Sequence, residues 1–205
     1  MRSLRLVRGE DRPPALADAE SLARVRRGDP SGSEALYGRY AAPLLGFTTR
    51  MLGNRAEAEE TTQDVFLRMI DRADQYDGRA PVSSWLFAIA ANACRDRLRA
   101  SRRAALPLEA VPDPPAKGES AEARVLADER SASVRRAMAL LSDEQREALV
   151  LARFHELPYS EIAETLGITE GAVKTRIYRA METLKAHFAQ GDRPWTAAMS
   201  PRSSS

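Results

Sequence analysis

The stretch EIAETLGITEGAVKTRIYRAM, from Glu161 to Met181, predicts two amphipathic helices that meet at Gly167. In its first part the apolar residues Ile162, Ala163 and Leu166 recur at helical spacing, so a short helix has one apolar face. Gly167 ends that helix, because glycine adopts the left-handed conformation of a helix C-terminus without steric cost. A sharp turn and a second helix follow from this pattern.

The second helix carries an apolar stripe on one side and cationic or hydrogen-bonding residues on the other. Thr169 can cap its first turn through the side-chain hydroxyl. The stripe consists of Val173, Ile177, Ala180, Leu184 and Phe188. The pattern is typical of a helix-turn-helix, which places its second helix in the major groove of DNA, although a plain helical hairpin with a solvated face remains the alternative. The residues expected near DNA are Thr169, Glu170, Gly171, Lys174, Thr175, Arg176 and Arg179.

Proline and glycine divide the chain into two helical halves. The segment ALPLEAVPDPPAKGES, from Ala105 to Ser120, holds four prolines and a glycine, which prevent a continuous helix. The expected divisions are an N-terminal extension over 1–17, a first domain over 18–103, a flexible linker over 104–122, a second domain over 123–188 and a C-terminal tail over 189–205. Both ends lack periodicity and are rich in Pro, Ser and charge, so we expect them to be disordered.

Both halves have the composition and periodicity of helices, since Ala, Leu, Arg and Glu dominate and sustained alternation of β-branched residues is missing. The expected helices are Asp18 to Arg27, Gly32 to Leu52, Arg55 to Asp74, Ser84 to Arg103, Ala123 to Leu141, Asp143 to His155, Ser160 to Leu166 and Glu170 to Ala189. The predicted fold class is therefore all-α, with two small helical domains joined by a Pro-rich linker.

The bulk composition favours a soluble cytoplasmic protein. Charged residues make up 29% of the chain but the net charge is only +2, so any basic surface has to be local. A single cysteine, Cys94, excludes an internal disulfide and fits a reducing compartment. The N-terminus lacks the apolar core of a secretory signal, and the longest apolar run, Trp85 to Ala91, is too short to cross a membrane.

The motifs of several common enzyme classes are missing from the sequence. There is no phosphate-binding glycine loop ending in Lys-Ser or Lys-Thr, no His-Glu-x-x-His and no nucleophile elbow. His155, His187 and Cys94 are scattered without the spacing of metal ligands. We therefore expect no catalytic residue, no bound metal and no cofactor.

The stretch LLSDEQREALVLARFHELPYSEIAETLGITEGAVKTRIYRAMETLK, from Leu140 to Lys185, resembles region 4 of the bacterial sigma factors, especially the extracytoplasmic-function (ECF) class. The shared features are the lead-in LSDEQREAL and the segments YSEIAETLG and GAVKTRIYRA. Region 4 of the family binds the minus 35 promoter element, so the resemblance assigns the expected DNA-contacting residues to that element. The chain departs from the family pattern at Ser142 and at Glu170, whose carboxylate would face phosphates.

The first half resembles region 2 of the same family. The similarity covers RAEAEETTQDVFLRMIDRADQYDGRAPVSSWLFAIAANACRDRLRASRR, from Arg55 to Arg103, and GDPSGSEALYGRYAAPL, from Gly28 to Leu44. Helical spacing places one set of residues on a shared apolar face: Ala58, Thr62, Val65 and Met69. The resemblance assigns the polar face to the clamp helices of core RNA polymerase, through Glu59, Glu60, Gln63 and Asp64. The alternative interpretation of that face is a solvated acidic surface.

A loop, QYDGRAPVSSW from Gln75 to Trp85, and a further helix follow in the region 2-like segment. The helix end from Arg95 to Arg103 holds five arginines and one aspartate, enough for a phosphate-binding stripe. Asn92 adds a donor and an acceptor for base edges. In the family this loop and helix read the single-stranded minus 10 element, and the resemblance assigns to it Tyr76, Gly78, Arg79, Asn92, Arg95 and Arg99. Tyr76 lines the base pocket or packs at the domain edge, while Trp85 is expected in the core.

The resemblance implies an alternative sigma factor that binds core RNA polymerase, directs it to specific promoters and promotes promoter melting. The implied partners are core RNA polymerase and promoter DNA, and an anti-sigma protein is a further partner that the resemblance alone suggests. Membrane insertion is not expected. The alternative function is a stand-alone helix-turn-helix transcriptional regulator, which would bind duplex DNA tightly without polymerase and usually as a dimer.

Overall fold

The computed structural model of the chain describes residues 15–103 and 132–189, and the regular secondary structure in these ranges is helical. The helices are α1 (Ala15–Arg26), α2 (Pro30–Leu52), α3 (Arg55–Asp71), a 3-10 helix (Ala73–Gln75), α4 (Val82–Arg103), α5 (132–139), α6 (Asp143–Phe154), α7 (Tyr159–Leu166) and α8 (Glu170–Ala189). The prediction of an all-α fold is confirmed. The predicted linker, most of both predicted ends and residues 123–131 lie outside the described residues.

Several helix boundaries differ from the prediction by two or three residues. Helix α1 begins at Ala15, inside the predicted extension, directly after two prolines that a helix start tolerates. Helix α3 ends at Asp71, and the chain continues as the 3-10 helix. Helix α4 begins earlier than predicted because the carbonyl of Pro81 accepts the N–H of Trp85 at 3.1 Å.

Side-chain and glycine caps make the connection between α2 and α3 only two residues long. Gly53 has a left-handed backbone, with φ of 72°, and its N–H donates to the carbonyl of Thr49 at 2.8 Å. The next residue, Asn54, caps α3 by accepting the N–H of Glu57 at 3.2 Å. The two helices therefore run as a tight hairpin.

Gly32 lets α1 and α2 approach closely. A Cβ atom at this position would lie 2.4 Å from the carbonyl oxygen of Ser21 and 2.7 Å from the backbone nitrogen of Val25. Those atoms belong to the backbone and cannot move aside as a flexible side chain could. Only glycine fits this crossing.

The first four helices enclose an apolar core that includes the predicted inner face of α3. Ala58, Thr62, Val65 and Met69 are all buried, as the helical spacing predicts. The hydroxyl of Thr62 donates to the carbonyl of Ala58 at 2.7 Å and lies 2.9 Å from the hydroxyl of Thr48. The polar atoms that threonine introduces into this core are therefore hydrogen-bonded, which removes the cost of burying them.

The predicted helix-turn-helix is confirmed in α7 and α8. Gly167 has φ of 65° and ends α7 in the left-handed conformation. The hydroxyl oxygen of Thr169 accepts the N–H of Ala172 at 3.2 Å and so caps α8. The predicted stripe of α8 faces inward, with Val173, Ile177, Ala180 and Leu184 buried and Phe188 packed at the edge of the core.

The two halves pack against each other, a contact that the sequence does not predict. The ring of His155 lies 4.6 Å from that of Phe87 and 6.1 Å from that of Phe47, measured between centroids. Arg146 of α6 donates through Nη1 to the carbonyl of Met51, at the end of α2, at 2.7 Å. The buried apolar residues of both halves form one continuous cluster.

Candidate nucleic-acid and partner interfaces

The outer face of α8 is open to solvent near its N-terminal end. Lys174, Thr175 and Arg179 are exposed, and Tyr178 beside them is 65% exposed. The start of the helix is exposed as well, at Thr169, Glu170 and Gly171. Arg176 differs, because its Nη2 lies 3.3 Å from Oε2 of Glu144 on α6. The structure brings six of the seven predicted residues to this exposed end of α8 and turns Arg176 toward α6.

The first turn of α8 combines attractive and repulsive groups for a phosphate. Its backbone N–H groups carry the partial positive charge of a helix N-terminus, which favours anions. Glu170 occupies the same turn, so its carboxylate competes with a phosphate for that charge. The hydroxyl of Thr175 donates to the carbonyl of Gly171 at 2.9 Å and keeps its oxygen as an acceptor.

Most arginines of α4 are held by carboxylates. Arg95 lies 3.2 Å from Glu147 of α6, measured from Nε to Oε1. Arg97 contacts two carboxylates of α3, Glu60 at 2.9 Å and Asp64 at 3.2 Å. A third arginine of this helix end, Arg102, pairs with Asp143 at 2.8 Å. Three arginines of this helix are exposed, namely Arg99, Arg102 and Arg103. The predicted phosphate-binding stripe is therefore largely occupied by the chain's own acids.

Asn92 lies on the exposed side of α4, where a base could reach it. Its side-chain oxygen accepts a hydrogen bond from Nη2 of Arg95. The same arginine thus contacts both Asn92 and Glu147, and it links the predicted base-reading residue to the junction between the two halves.

Glu147 is fully buried in this junction. Burial raises the pKa of its carboxyl group to about 7, while the nearby guanidinium groups of Arg95 and Arg176 oppose that shift. Neither carboxylate oxygen accepts a hydrogen bond from the described residues, so Arg95 supplies charge compensation without good hydrogen-bond geometry. The charged form of a buried carboxyl group without hydrogen bonds is stabilised mainly by its cationic partner, so loss of that partner is costly.

The predicted polymerase-binding face of α3 is exposed but partly neutralised. Glu59, Glu60 and Gln63 are exposed, and Asp64 is half-buried. Glu59 pairs with Arg55 one turn earlier at 2.9 Å. Because Arg97 reaches Glu60 and Asp64 from α4, this acidic face keeps less negative charge than its sequence indicates.

The predicted minus 10 loop has a defined shape. Gly78 adopts a left-handed backbone, with φ of 77°, at the tip. Asp77 accepts the N–H of Arg79 at 3.0 Å, and the side chain of Arg79 is 90% exposed. Tyr76 is half-buried: its hydroxyl donates to the carbonyl of Ala80 at 2.6 Å and its ring lies 5.4 Å from that of Trp85, which packs at the edge of the core.

Sequence reasoning missed an exposed apolar patch next to the acidic face. Tyr37, Leu67 and Ile70 are large exposed hydrophobic residues of α2 and α3. Tyr37 and Ile70 line a shallow groove together with Phe66, whose ring lies 4.9 Å from that of Tyr37. Leu67 and Ile70 are three residues apart on α3 but off its buried face, a signal that the sequence does contain.

The buried nucleophilic and imidazole groups of the described residues are not arranged for metal binding. In residues 15–103 and 132–189, no three His, Cys, Asp or Glu side chains lie close enough to hold an ion. Burial raises the pKa of the Cys94 thiol to about 12. Burial, with a contribution from Arg50, lowers the pKa of His155 to about 4. None of the helices in the described part has the length and apolar character to cross a membrane.

Comparison with protein families finds two matches in the chain. Residues 36–104 match the model for sigma-70 region 2, and residues 131–184 match the model for sigma-70 region 4. The ECF RNA polymerase sigma factor SigK of Mycobacterium sp. (strain KMS) is 35% identical over 169 residues, covering 80% of this chain and 86% of that protein.

Two solved structures share the fold at lower identity. CnrH, in complex with the cytosolic domain of CnrY, has a TM-score of 0.64 at 24% identity, covering 85% of this chain and 98% of that one. The sigma factor RpoE of Bartonella quintana, in complex with the anti-sigma factor NepR, has a TM-score of 0.62 at 22% identity, covering 76% and 96%.

Proposed function

The chain belongs to the ECF class of the sigma-70 family, and from this premise we propose which of its surfaces meet promoter DNA and polymerase. As an alternative sigma factor, it directs core RNA polymerase to promoters. The observation that carries this conclusion is the presence of both sigma regions in one chain. A stand-alone helix-turn-helix regulator is not favoured, because the first half matches region 2.

The outer face of α8 reads the minus 35 element as duplex. Lys174 and Arg179 are exposed cations that can neutralise phosphates, and Thr175 offers an acceptor in the same turn. The remaining residues of this proposed surface are Thr169, Glu170, Gly171 and Arg176. Arg176 joins the interface when it leaves Glu144, an exposed partner that holds it weakly.

The loop and α4 bind the minus 10 element as a single strand and promote melting. The proposed residues are Tyr76, Gly78, Arg79, Asn92, Arg95 and Arg99. Asn92 and the loop contact an extruded base, and Arg99 contacts the strand's phosphates. Arg95 reaches DNA only by leaving Glu147, so that carboxylate must meet water or take up a proton when the strand binds. Binding therefore breaks this ion pair between α4 and α6.

The polar face of α3 binds a basic surface of core RNA polymerase through Glu59, Glu60, Gln63 and Asp64. Its exposure and its carboxylates support this assignment. Sigma factors in general serve initiation without catalysing a reaction themselves, and we extend that to this chain, together with a cytoplasmic location beside DNA and polymerase. An anti-sigma protein is a further proposed partner, since the similar RpoE structure holds an anti-sigma factor.

The test is a pull-down of core RNA polymerase with the purified full chain, followed by permanganate probing of promoter thymines. Core polymerase should be retained, and thymines of the minus 10 element should become reactive only when chain and polymerase are both present. High-affinity, sequence-specific duplex binding by the chain alone, with no retention of polymerase, would instead support the regulator.

A further inference from the structure

We propose that Arg26 of α1 is a positioning residue for promoter recognition: it holds the loop over 75–81 in the shape that presents a base to α4. The inference rests on the proposed minus 10 function of that loop. Arg26 lies outside both family-matched segments and outside the residues predicted from the sequence to contact DNA or polymerase.

Arg26 bridges the two ends of the turn that leads into the loop. Its Nε donates to the carbonyl of Ala73 at 2.8 Å, and its Nη2 donates to the carbonyl of Tyr76. Ala73 begins the 3-10 helix and Tyr76 follows its last residue. A guanidinium is planar with fixed donor directions, so two bonds to two carbonyls fix the orientation of the chain between them.

The contact continues from Arg26 into the loop through Tyr76. The guanidinium carbon of Arg26 lies 5.8 Å from the centre of the Tyr76 ring. The Tyr76 hydroxyl closes the loop by donating to Ala80, and the ring packs on Trp85. Of the two roles that the sequence leaves open for Tyr76, these contacts favour packing at the domain edge, so its part in minus 10 binding is to shape the loop. The loop tip at Arg79 then stays exposed to DNA.

A loop held in this way has already lost the conformational freedom that base binding would otherwise remove. Recognition of an extruded base depends on a few polar groups at fixed positions. If these groups become ordered only when the base binds, the lost conformational entropy weakens binding. Phosphate contacts along a flexible strand depend much less on such order. Loss of Arg26 should therefore reduce base discrimination more than overall affinity.

The experiment uses the full chain bound to core RNA polymerase to select single-stranded DNA from a pool randomised over the minus 10 element. The parent should enrich a defined motif. Arg26→Gln should weaken enrichment of the preferred base at one or more positions by about tenfold, with an unchanged dependence of affinity on salt. Arg26→Lys should be intermediate, because it keeps the charge but not the two fixed donors. The matched control is Arg24→Gln, an arginine of the same helix that pairs with Glu20 at 2.6 Å.

The fluorescence of Trp85 gives a second readout, which is independent of the selection experiment. In a Trp195→Phe background Trp85 is the one remaining tryptophan of the sequence. Arg26→Gln should shift its emission, and Arg24→Gln should not. If Arg26→Gln loses helical circular dichroism, Tyr76→Phe replaces it, since that change removes only the bond to Ala80 and should also weaken the motif.

Two results overturn the inference while leaving the proposed function intact. One is an unchanged motif together with an unchanged salt dependence in the folded Arg26→Gln or Tyr76→Phe variant. The other is an unchanged motif with a salt dependence reduced by about one unit, which would make Arg26 a phosphate contact. If the parent chain enriches no motif at all, the result contradicts the proposed minus 10 function and, with it, this inference.

Discussion

Helices α4 and α8 both carry cationic residues proposed to meet DNA, but they differ in what those residues contact. Lys174 and Arg179 of α8 extend into solvent. On α4, Arg95 lies against the buried Glu147, and Arg97 bridges Glu60 and Asp64. The first surface is ready for a ligand, while the second is occupied by carboxylates of the same chain.

This difference separates the two proposed modes of DNA recognition within the molecule. As proposed, α8 meets a duplex through Lys174 and Arg179 without rearrangement, and only Arg176 has to leave an exposed carboxylate. Helix α4 has to exchange carboxylates for phosphates, and each exchange offsets part of the attraction that the arginine would give. The net charge of a helix does not distinguish these two surfaces. They differ in whether each cation already contacts a carboxylate of the same chain.

The largest effect should come from removing the open cations of α8. Lys174→Ala with Arg179→Ala should weaken binding of the polymerase-bound chain to duplex minus 35 DNA by about a hundredfold, since each lost charge-assisted contact is worth about 1.5 kcal/mol. The slope of log affinity against log salt should fall by about two. Fluorescence anisotropy at several salt concentrations measures both.

Lys185→Ala is the control for this change, because Lys185 lies on the same helix but pairs with Glu182 at 2.8 Å. It should leave affinity and slope near those of the parent. If the double variant behaved like this control, α8 would not be the more accessible of the two DNA surfaces.

A pH experiment tests the carboxylate that holds Arg95. The raised pKa of Glu147, about 7 against an ordinary 4.5, gives stability that is present at low pH and lost as pH rises through this window. The lowered pKa of His155, about 4 against an ordinary 6.5, gives stability that is present at high pH and lost as pH falls through its window. Between 4.5 and 6.5 the two contributions oppose each other.

Single variants should expose the two opposing slopes. Relative to the parent, His155→Gln should lose free energy of unfolding from pH 5 to 6.5 and Glu147→Gln should gain it, each by about 1 to 2 kcal/mol, because a full proton corresponds to about 1.4 kcal/mol per pH unit. Urea unfolding at the two pH values measures this. The double variant serves as the control, and its free energy of unfolding should change with pH as that of the parent does. If all four chains showed the same dependence on pH, Glu147 would not titrate in this range while it holds Arg95 of α4.

A smaller effect separates base reading from phosphate binding on α4. Asn92→Ala should reduce discrimination among minus 10 sequences by about tenfold and slow promoter melting, since a lost base contact is worth about 1 to 3 kcal/mol. Arg99→Ala, the comparison variant, should weaken binding uniformly across sequences. The permanganate reactivity of promoter thymines, in the presence of core polymerase, measures the effect of each variant. Melting by Asn92→Ala at the parent's rate and selectivity would make Asn92 an ordinary surface residue.

The smallest effect concerns the exposed pairs between α4 and α3. Arg97→Ala should change the free energy of unfolding by less than about 1 kcal/mol, because Glu60 and Asp64 remain solvated. It should strengthen binding to core polymerase about twofold at low salt, since the acidic face then regains its charge. Competition binding against the parent measures this. Weaker binding would show that Arg97 itself faces the polymerase.

Periodicity and capping chemistry were enough to predict the helix-turn-helix. Gly167 and Thr169 act locally, within one turn of their own position, so their roles follow from neighbouring residues. The same holds for the buried face of α3, whose spacing sets which residues point inward. The family resemblance then predicted the function that the two region matches support.

The partners of the arginines could not be predicted in this way. Arg95 and Glu147 are distant in sequence, and each looks like an ordinary surface charge within its own helix. Their pairing depends on how the two halves pack, which no local pattern encodes. The contacts of Arg26 with the loop have the same origin, because they join α1 to a segment beyond α3.

The aromatic environment of His155 makes the junction observable by nuclear magnetic resonance. Its imidazole lies close to the rings of Phe47 and Phe87, which belong to the other half of the chain. Ring currents from the two phenyl groups shift the imidazole carbon-bound protons away from their usual frequencies while the halves touch. Separation of the halves would return those signals toward the values of a free imidazole. This one side chain therefore reports, without an attached label, the fraction of molecules in which the two halves are apart.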